Sequence, residues 1–414
     1  MNASRLAAIA ALVLLAAPAA AQVEDLYVRG FVSQGWLNSR DVNYLVDDSR
    51  DGSAEFHEAA ISIQARPEER LRVGLQFLAR DFGEVGNNNV VIDWAYADYR
   101  HCDYTGFRFG KLKVMQGLHG QGRDVDMLRP TILLPQSVYN EEHRDFIVGM
   151  QGASIYGNVP LDDGGQIDYE LFGGTLNVPD ADNGFWSDIW VQQGKVAEIS
   201  QPDSVTLEFL GVDESEAKFD WVWGGGLLWQ SPVDGIRLGA TFFKAKFDMD
   251  ALLLFRVSHA SGTRYDVIEP NSFEGELGRI LTLSAEYVRG PFTLTAEYVE
   301  EKLNEVVSDG WYAQLTWQAT DALAVTGYYS EYNADRDDQE GRFMVELGLR
   351  DFFAWQNDHC LAMRYDISDH WLMKIEHHLV DGTGLANLSR NDLDDPVAMR
   401  RWWAYTAAKA TFYF

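Results

Sequence analysis

The chain has 414 residues, of which 63 are acidic and 34 are basic, so its formal net charge is −29. This charge argues against a nucleic-acid partner, because binding to phosphates requires a surplus of basic residues. Aromatic residues are abundant (18 Tyr, 22 Phe and 13 Trp), and so is glycine, with 36 residues. This composition is typical of chains in which apolar and polar residues alternate, and a soluble all-β protein could share it.

The first 21 residues have the layout of a secretory signal peptide. Arg5 precedes an apolar stretch, 6–17, and the small residues 19–21 precede Gln22. The apolar stretch is shorter than the roughly 20 residues that a membrane-spanning helix needs. We therefore expect residues 1–21 to be removed during export and residues 22–414 to form one domain.

Two cysteines occur, Cys102 and Cys360. Export would bring them into an oxidising compartment, but they fall in segments that we expect to lie far apart, so no disulfide is predicted. Neither has the CxxC or His-rich neighbourhood of a metal or redox site. No resident cofactor is predicted from them.

Alternation of apolar and polar residues, interrupted by turn residues, predicts sixteen strands. They are 27–38, 54–66, 70–81, 90–101, 105–113, 145–157, 166–176, 217–230, 235–248, 278–289, 291–302, 309–319, 322–332, 356–366, 370–381 and 400–414. Weak alternation in 145–157 and 343–366 leaves 14 or 18 strands as alternatives. The predicted fold class is all-β, a transmembrane antiparallel β-barrel.

The clearest alternation places Leu281, Leu283, Ala285 and Tyr287 opposite Thr282, Ser284 and Glu286. The apolar set is expected to face lipid and the polar set the lumen. Tryptophans near strand ends are expected to form girdles at the membrane interface. They are Trp36, Trp94, Trp221, Trp223, Trp311, Trp317, Trp371, Trp402 and Trp403.

Connection lengths also alternate. Tight turns, such as 67–70 and 289–291, are followed by connections that are mostly long, at 39–53, 114–144, 177–216, 249–277, 333–355 and 382–399. Short periplasmic turns and long extracellular loops are the arrangement of outer-membrane barrels, whereas a soluble sandwich has no reason to sort its loops in this way. A barrel of this size leaves a water-filled lumen, which makes a pore the expected function.

The first long loop contains a candidate calcium motif. Asp47, Ser49 and Asp51 occupy the first, third and fifth places, Gly52 the sixth and Glu58 the twelfth, which is the ligand spacing of a calcium loop. No helices are predicted to flank it, and Glu58 belongs to a strand. A turn followed by a lumen-facing glutamate is the alternative interpretation.

The last predicted strand ends in Thr-Phe-Tyr-Phe, with Phe414 as the final residue. This ending resembles the C-terminal assembly signal of Gram-negative outer-membrane barrels. The organisation of the whole chain resembles a porin-like family within that class. The resemblance implies an outer-membrane location, contact with outer-membrane lipid and lipopolysaccharide, recognition of Phe414 by the barrel-assembly machinery, a homotrimer, and passage of small hydrophilic solutes or ions.

The connection 114–144 is the third on the long-loop side, and in general porins the third loop folds into the lumen and narrows it. The resemblance implies that the apolar run 132–134 packs against the inner wall, while charged residues face the channel. The candidate constriction residues are Arg123, Asp124, Asp126, Arg129, Glu141, Glu142 and Arg144. An ordinary solvated extracellular loop is the alternative.

Strand parity predicts a further set of lumen-facing charges, since a charge on the lipid face is costly. They are Glu58, Arg66, Arg72, Arg80, Asp93, Arg108, Glu286 and Glu297. We expect no enzymatic activity. Ser137, His119 and Asp124 share a loop, but nothing resembling a nucleophile elbow surrounds Ser137. A substrate-selective channel, or a hydrolase or adhesin for which the barrel is only an anchor, remain alternative functions.

Overall fold

The computed structural model describes residues 25–46, 48–83, 85–142, 144, 149–176, 185–199, 205–387, 390–391 and 399–414. Sixteen antiparallel strands form a closed barrel in which each strand pairs with its neighbours in sequence and β1 pairs with β16. The predicted fold class and strand number are confirmed. The expected signal peptide, 1–21, lies outside the described residues.

The strands follow one another around the barrel in chain order. They are β1 (Leu26–Arg40), β2 (His57–Glu68), β3 (Leu71–Asp81), β4 (Val90–Cys102), β5 (Thr105–Lys113), β6 (Gly149–Pro160), β7 (Gln166–Leu176), β8 (Val205–Gln230), β9 (Ile236–His259), β10 (Arg264–Arg289), β11 (Phe292–Leu303), β12 (Val306–Gln318), β13 (Leu323–Asn333), β14 (Trp355–Ser368), β15 (Trp371–Gly382) and β16 (Trp402–Tyr413).

The seam between the first and last strands closes the barrel. Phe31 lies opposite Tyr413 and Arg40 opposite Ala404, while the backbone of Phe414 exchanges hydrogen bonds with Gly30 at 3.0 and 3.1 Å. Closure leaves no free strand edge, which a lipid environment requires because it offers no partner for backbone polar groups.

The outer face of the barrel is apolar, as the alternation predicted. On β15, Ile375 is 49% exposed, whereas its neighbours Lys374 and Glu376 point inward and are buried. Leu283 on β10 and Leu294 on β11 also lie on the outer face. An apolar outer belt around a closed barrel is the arrangement that spans an outer membrane.

Most of the predicted girdle tryptophans lie on this outer face. Trp36, Trp223, Trp311, Trp317, Trp371 and Trp402 are all exposed. The prediction is wrong for Trp94, which lines a cavity inside the barrel, and for Trp403, which is buried on the inner face of β16. At Trp94 the cause is a register shift between β3 and β4, which leaves Asp93 without a cross-strand partner and so breaks the simple alternation.

The predicted long loops 177–216 and 249–277 are largely regular structure. Strands β8, β9 and β10 extend beyond the rest of the barrel, and only residues 260–263 link β9 to β10. Alternation continues along the extension, where Met249, Ala251 and Leu253 are buried. They belong to one apolar cluster with Trp190 of helix α1 (Phe185–Ile199), so the helix covers the inner face of the extension.

Other helices are short. Helix α2 (Arg342–Glu346) lies in the connection between β13 and β14, close to a 3-10 turn at Asp351–Phe353. Within the described ranges, no helix combines the length and apolar character needed to cross a membrane.

Candidate functional site: a loop folded into the barrel

The connection 114–144 folds inside the barrel and contacts its wall on several sides. Its apolar run is fully buried, with Ile132 and Leu133 in one cluster with Leu37 and Phe56. The backbone N–H groups of Ile132 and Leu133 donate to the carboxylate of Glu376 on β15, at 2.7 and 3.2 Å. One wall carboxylate thus holds two adjacent amides of the loop.

Asp126 is the centre of a first ionic network. Its carboxylate contacts Lys374 on β15 at 3.1 Å and Lys409 on β16 at 3.4 Å, and it accepts a hydrogen bond from Thr411 at 2.7 Å. Burial alone would raise the pKa of Asp126, but the cations of Lys374, Lys409 and Arg129 hold that pKa well below its usual range. The carboxylate is therefore charged at neutral pH and ties the loop to the last two strands.

Arg129 extends this network to the first hairpin. Its guanidinium donates to Glu58 on β2 at 2.9 Å and to Asp126 at 3.1 Å, and Lys409 also contacts Glu58. The pKa of Arg129 is raised, because its carboxylate partners outweigh the opposing effect of burial.

A second network joins the end of the loop to β3. Arg80 contacts Glu141 at 2.9 Å, and Arg123, from the loop itself, contacts the same carboxylate at 3.1 Å. Burial would raise the pKa of Glu141, but Arg123 and Arg80 lower it below its usual value. Nearby, Glu142 contacts Arg390 at 3.3 Å.

A third network involves β4 and β5. Asp124 contacts Lys113 and Arg144, and the same two cations contact Asp93 at 2.6 and 3.3 Å. Burial opposes ionisation of Asp124, but Arg144 and Lys113 hold its pKa well below the usual range. Two acids and two bases thus neutralise one another beside the wall.

The opposite side of the loop is held by Glu297 on β11. The hydroxyl groups of Tyr139 and Tyr312 each donate to this carboxylate at 2.6 Å, and the Leu118 N–H donates at 2.8 Å. Burial, and then the Glu297 charge, raise the pKa of Tyr139 well above its ordinary value. The loop is therefore anchored to β2, β3 and β15 on one side and to β11 on the other.

The predicted constriction residues all lie in these networks and are buried. The most exposed of the seven, Glu142, is only 8% exposed, and Asp126 is fully buried. Their side chains face protein rather than an open channel, which differs from the expectation for the charged ends of the loop. The physical reason is that each charge has an opposite charge within reach, on the wall or in the loop. A narrowing role for the loop remains a prediction.

Two cavities lie between the loop and the wall. A cavity of about 560 Å³ is lined by Trp94, Tyr96, Arg108, Gln121 and Glu170 among other residues. A second, of about 310 Å³, shares Arg108, Gln121 and Glu170 with the first. Strand parity predicted the position of Arg108. It could not identify Gln121, which comes from the loop and donates to Glu170 at 2.9 Å.

Arg108 contacts both acidic and aromatic residues at the opening that these cavities form. Its guanidinium lies 3.8 Å above the Tyr156 ring and 3.6 Å from both Asp98 and Glu170. Arg72, which remains about half exposed, contacts Asp98 at 2.7 Å. The opening thus combines arginines, carboxylates and aromatic rings.

The other residues that were predicted to face the lumen make different contacts. Glu58, Arg80, Asp93 and Glu297 lie in the anchoring networks described above. Glu286 contacts Arg237 at 2.6 Å on the inner face of β10. Arg66, near the end of β2, is half exposed and lies 3.8 Å from Asp25.

The residues of the candidate calcium motif have separate partners in the structure. Asp47 lies outside the described residues, and Asp51 is exposed. The Ser49 hydroxyl lies 2.7 Å from the Ser39 hydroxyl and accepts from the Tyr44 N–H, while Glu58 is engaged by Arg129 and Lys409. Calcium binding stays a prediction that would require Ser49 and Glu58 to exchange these partners for the ion.

Ser137, His119 and Asp124 belong to separate sets of contacts. Ser137 donates to the Trp311 carbonyl at 3.1 Å, the His119 ring lies edge-on to Tyr139, and Asp124 contacts Lys113 and Arg144. These partners do not form the chain from nucleophile to base to carboxylate that a hydrolase uses.

Neither a protein-family model nor a curated protein matches the sequence. Solved structures do match. OmpF of Salmonella typhi, in complex with daunomycin, has a TM-score of 0.56 at 11% identity, covering 95% of this chain and 98% of that chain. An anion-selective porin from Comamonas acidovorans has a TM-score of 0.52 at 10% identity, covering 94% and 99%. OmpT of Vibrio cholerae also has a TM-score of 0.52 at 10% identity, covering 94% and 97%.

At this level of identity the similarity concerns the fold, and it extends over nearly the whole of each chain. It agrees with the closed barrel and the apolar outer belt. The chain therefore has the fold of the outer-membrane porins of Gram-negative bacteria.

Proposed function

We propose that the barrel is a water-filled channel through which small hydrophilic solutes cross the outer membrane by passive diffusion, with loop 114–144 narrowing the lumen. The observation that carries the proposal is the pair of cavities beside the loop. Arg108, Gln121 and Glu170 line both of them, so charged and hydrogen-bonding groups face the space that the loop leaves open.

The anchoring of the loop supports the same proposal. Contacts of Asp126 with β15 and β16, and of Tyr139 with β11, fix the loop on two sides of the lumen. A loop fixed in this way limits the size of solutes without moving, as passive diffusion through a permanently open pore requires.

A channel with a dedicated solute site is the second candidate. Aromatic rings favour it, because Trp94 stacks on Tyr96 with ring centroids 5.2 Å apart, and Tyr156 lies beneath Arg108. Aromatic faces next to charged groups are suited to binding sugars or other flat polar solutes. Such a site would make transport saturable.

The experiment is single-channel recording of the refolded protein in a planar bilayer under a KCl gradient. Stable ohmic steps would support the channel, and the sign of the reversal potential would give the ion preference. A folded barrel that stays electrically silent would contradict the proposal and redirect attention to a barrel that serves only as an anchor. Solute-dependent block of the current that saturates would favour the dedicated site.

The proposed assembly is a homotrimer embedded in lipid and lipopolysaccharide, as in general porins. Exposed apolar side chains such as Leu361 on β14 and Leu171 on β7 offer surface for a neighbouring subunit or for lipid. Light scattering of the detergent-solubilised protein, corrected for bound detergent, would distinguish a trimer from a monomer.

A further inference from the structure

Three metal-ligating side chains meet on the inner wall of the barrel, outside the proposed opening. Cys360 on β14 lies directly opposite His378 on β15, and Glu376 is two residues before His378 on the same face. Their sulfur, nitrogen and oxygen atoms lie within 4.8 Å of one another. Cys360 is 6% exposed, and the other two are fully buried.

The orientation of the His378 ring is fixed by its surroundings. Its Nδ1 lies 2.9 Å from a carboxylate oxygen of Asp358, and its ring stacks on Tyr405 with centroids 3.9 Å apart. A carboxylate on one ring nitrogen is the usual second partner of a histidine that binds metal through the other nitrogen. Donation from Nδ1–H to Asp358 leaves a lone pair on Nε2 of the neutral ring.

That second nitrogen, Nε2, is buried and makes no hydrogen bond within the described part of the chain. Glu376 Oε1 lies 3.3 Å away, so a neutral ring would point the lone pair of Nε2 at a negative oxygen. Either a proton on Nε2 or a metal ion between the two atoms would remove this repulsion. The Cys360 sulfur lies beside the same two atoms.

We propose that Cys360, Glu376 and His378 bind a divalent transition metal of the zinc class. A ligand set of one sulfur, one nitrogen and one oxygen suits zinc, whereas calcium and magnesium favour oxygen alone. Zinc bonds of about 2.0–2.3 Å require the three donors to approach one another slightly, which side-chain rotation allows. Water would complete the tetrahedron.

The proposed metal site shares Glu376 with the contacts that anchor the loop. The carboxylate of Glu376 that faces His378 also accepts the N–H groups of Ile132 and Leu133. A metal would therefore hold Glu376 in the position in which it binds the loop. The proposal does not depend on the channel function, and its test needs no transport measurement.

The test is titration of the full chain, refolded in detergent and treated with a chelator, with Co²⁺ as the spectroscopic probe. Wild type is expected to bind one Co²⁺ per chain and to show the thiolate-to-cobalt charge-transfer band, which one equivalent of Zn²⁺ removes. Cys360→Ala is expected to lose the band. Asp358→Asn changes the second partner of His378, which is also the acceptor of the Tyr328 hydroxyl, and is expected to bind about 10–100-fold more weakly.

The matched control is Cys102→Ala, because Cys102 is the other cysteine, is exposed and ends β4. It should keep the full cobalt spectrum. The proposal is overturned if folded wild type shows no band, if Cys360→Ala keeps it, or if Cys102→Ala loses it. Absence of binding in wild type would indicate that a proton on His378, rather than a metal, separates Asp358 from Glu376.

A second measurement covers the case in which Cys360→Ala does not fold. Alkylation rates of the two thiols of wild type are compared with and without Zn²⁺, by mass spectrometry of peptides. Zn²⁺ is expected to slow modification of Cys360 at least tenfold while leaving Cys102 unchanged. Equal rates for Cys360 in both conditions would refute the site.

Discussion

Arg129 of the inward-folded loop donates to Glu58 of β2 across 2.9 Å, although 71 residues separate the two in the chain. Lys409, on the last strand, contacts the same carboxylate. Glu58 thus joins the first hairpin, the last strand and the loop at the seam where the barrel closes. The charge that fixes the loop is also one that the closure of the barrel brings into place.

Glu58→Gln should therefore be strongly destabilising. It leaves Arg129 and Lys409 buried with one negative partner fewer, and the loss of one member of a buried ion pair costs about 3–5 kcal/mol. Equilibrium unfolding in urea, in detergent or lipid vesicles, measures the change. Glu340→Gln is the matched control, because Glu340 pairs with Arg342 on the exposed surface and its removal should leave the midpoint unchanged. Equal midpoints for the two variants would contradict the anchoring role of Glu58.

Acid should weaken the anchoring of the loop. The native pKa of Asp126 is well below its usual value, since the cations of Lys374, Lys409 and Arg129 outweigh the opposing effect of burial. Its contribution to stability is therefore complete above about pH 4, near the unfolded pKa, and is lost as the pH falls through the lower native pKa. The pKa values of Asp124 and Glu141 are also lowered, so their contributions to stability are lost in acid in the same way.

Urea unfolding between pH 8 and pH 2 tests this expectation. The wild-type midpoint should fall as the pH decreases below about 4. In Asp126→Asn the fall should be smaller, because that variant cannot lose the same charge. An equal fall below pH 4 in wild type and in Asp126→Asn would contradict this role of Asp126.

Much of the barrel could be predicted from the sequence, because strand alternation and turn length are local properties. The strand around 281–287, with Leu283 outward and Ser284 inward, follows directly from a period of two. The same rule gave the inward direction of Glu58, Arg80 and Asp93. It could not give their partners, since Arg129 and Glu141 reach them only after the loop has folded into the barrel.

The extension of β8 to β10 was missed for a different reason. The predicted strand 235–248 stops at Asp248, but the alternation continues past it, because Met249 and Ala251 are buried on either side of Asp250. Residue Trp190 of α1 belongs to the same buried cluster, and that helix lies within what was predicted as a loop. From sequence alone, such a strand is identified only when the helix that covers its apolar face is predicted as well.

Tyr139→Phe should loosen the side of the loop that faces β11. The variant removes a hydroxyl that donates to Glu297 at 2.6 Å, and a hydrogen bond to a charged group contributes about 1.5–3 kcal/mol. The free energy of unfolding should fall by about that amount. Tyr265→Phe, at an exposed tyrosine of β10, should have no effect. If both variants unfold alike, the Glu297 contact does not anchor the loop.

Ile375→Lys tests which face of β15 meets lipid. Ile375 points outward between the inward-facing Lys374 and Glu376, and a lysine near the middle of the lipid face costs about 2–4 kcal/mol. The folding equilibrium in lipid vesicles measures this cost. Val345→Lys, on helix α2 outside the barrel wall, should change little, although Val345 is as exposed as Ile375. A neutral Ile375→Lys variant would place this strand face in water.

Arg108→Gln should shift ion preference towards cations. Arg108 lines both cavities beside the loop, and its removal leaves Asp98 and Glu170, each 3.6 Å away, less compensated. A single charge near a water-filled passage changes the local free energy of an ion by up to about 1 kcal/mol, so the K⁺/Cl⁻ permeability ratio should rise about two- to fivefold. The reversal potential under a KCl gradient measures this ratio. Arg256→Gln changes the net charge equally but lies on the extension, where Arg256 pairs with Asp266, so its ratio should match wild type. Equal shifts in the two variants would mean that overall charge, and not the opening beside the loop, sets the selectivity.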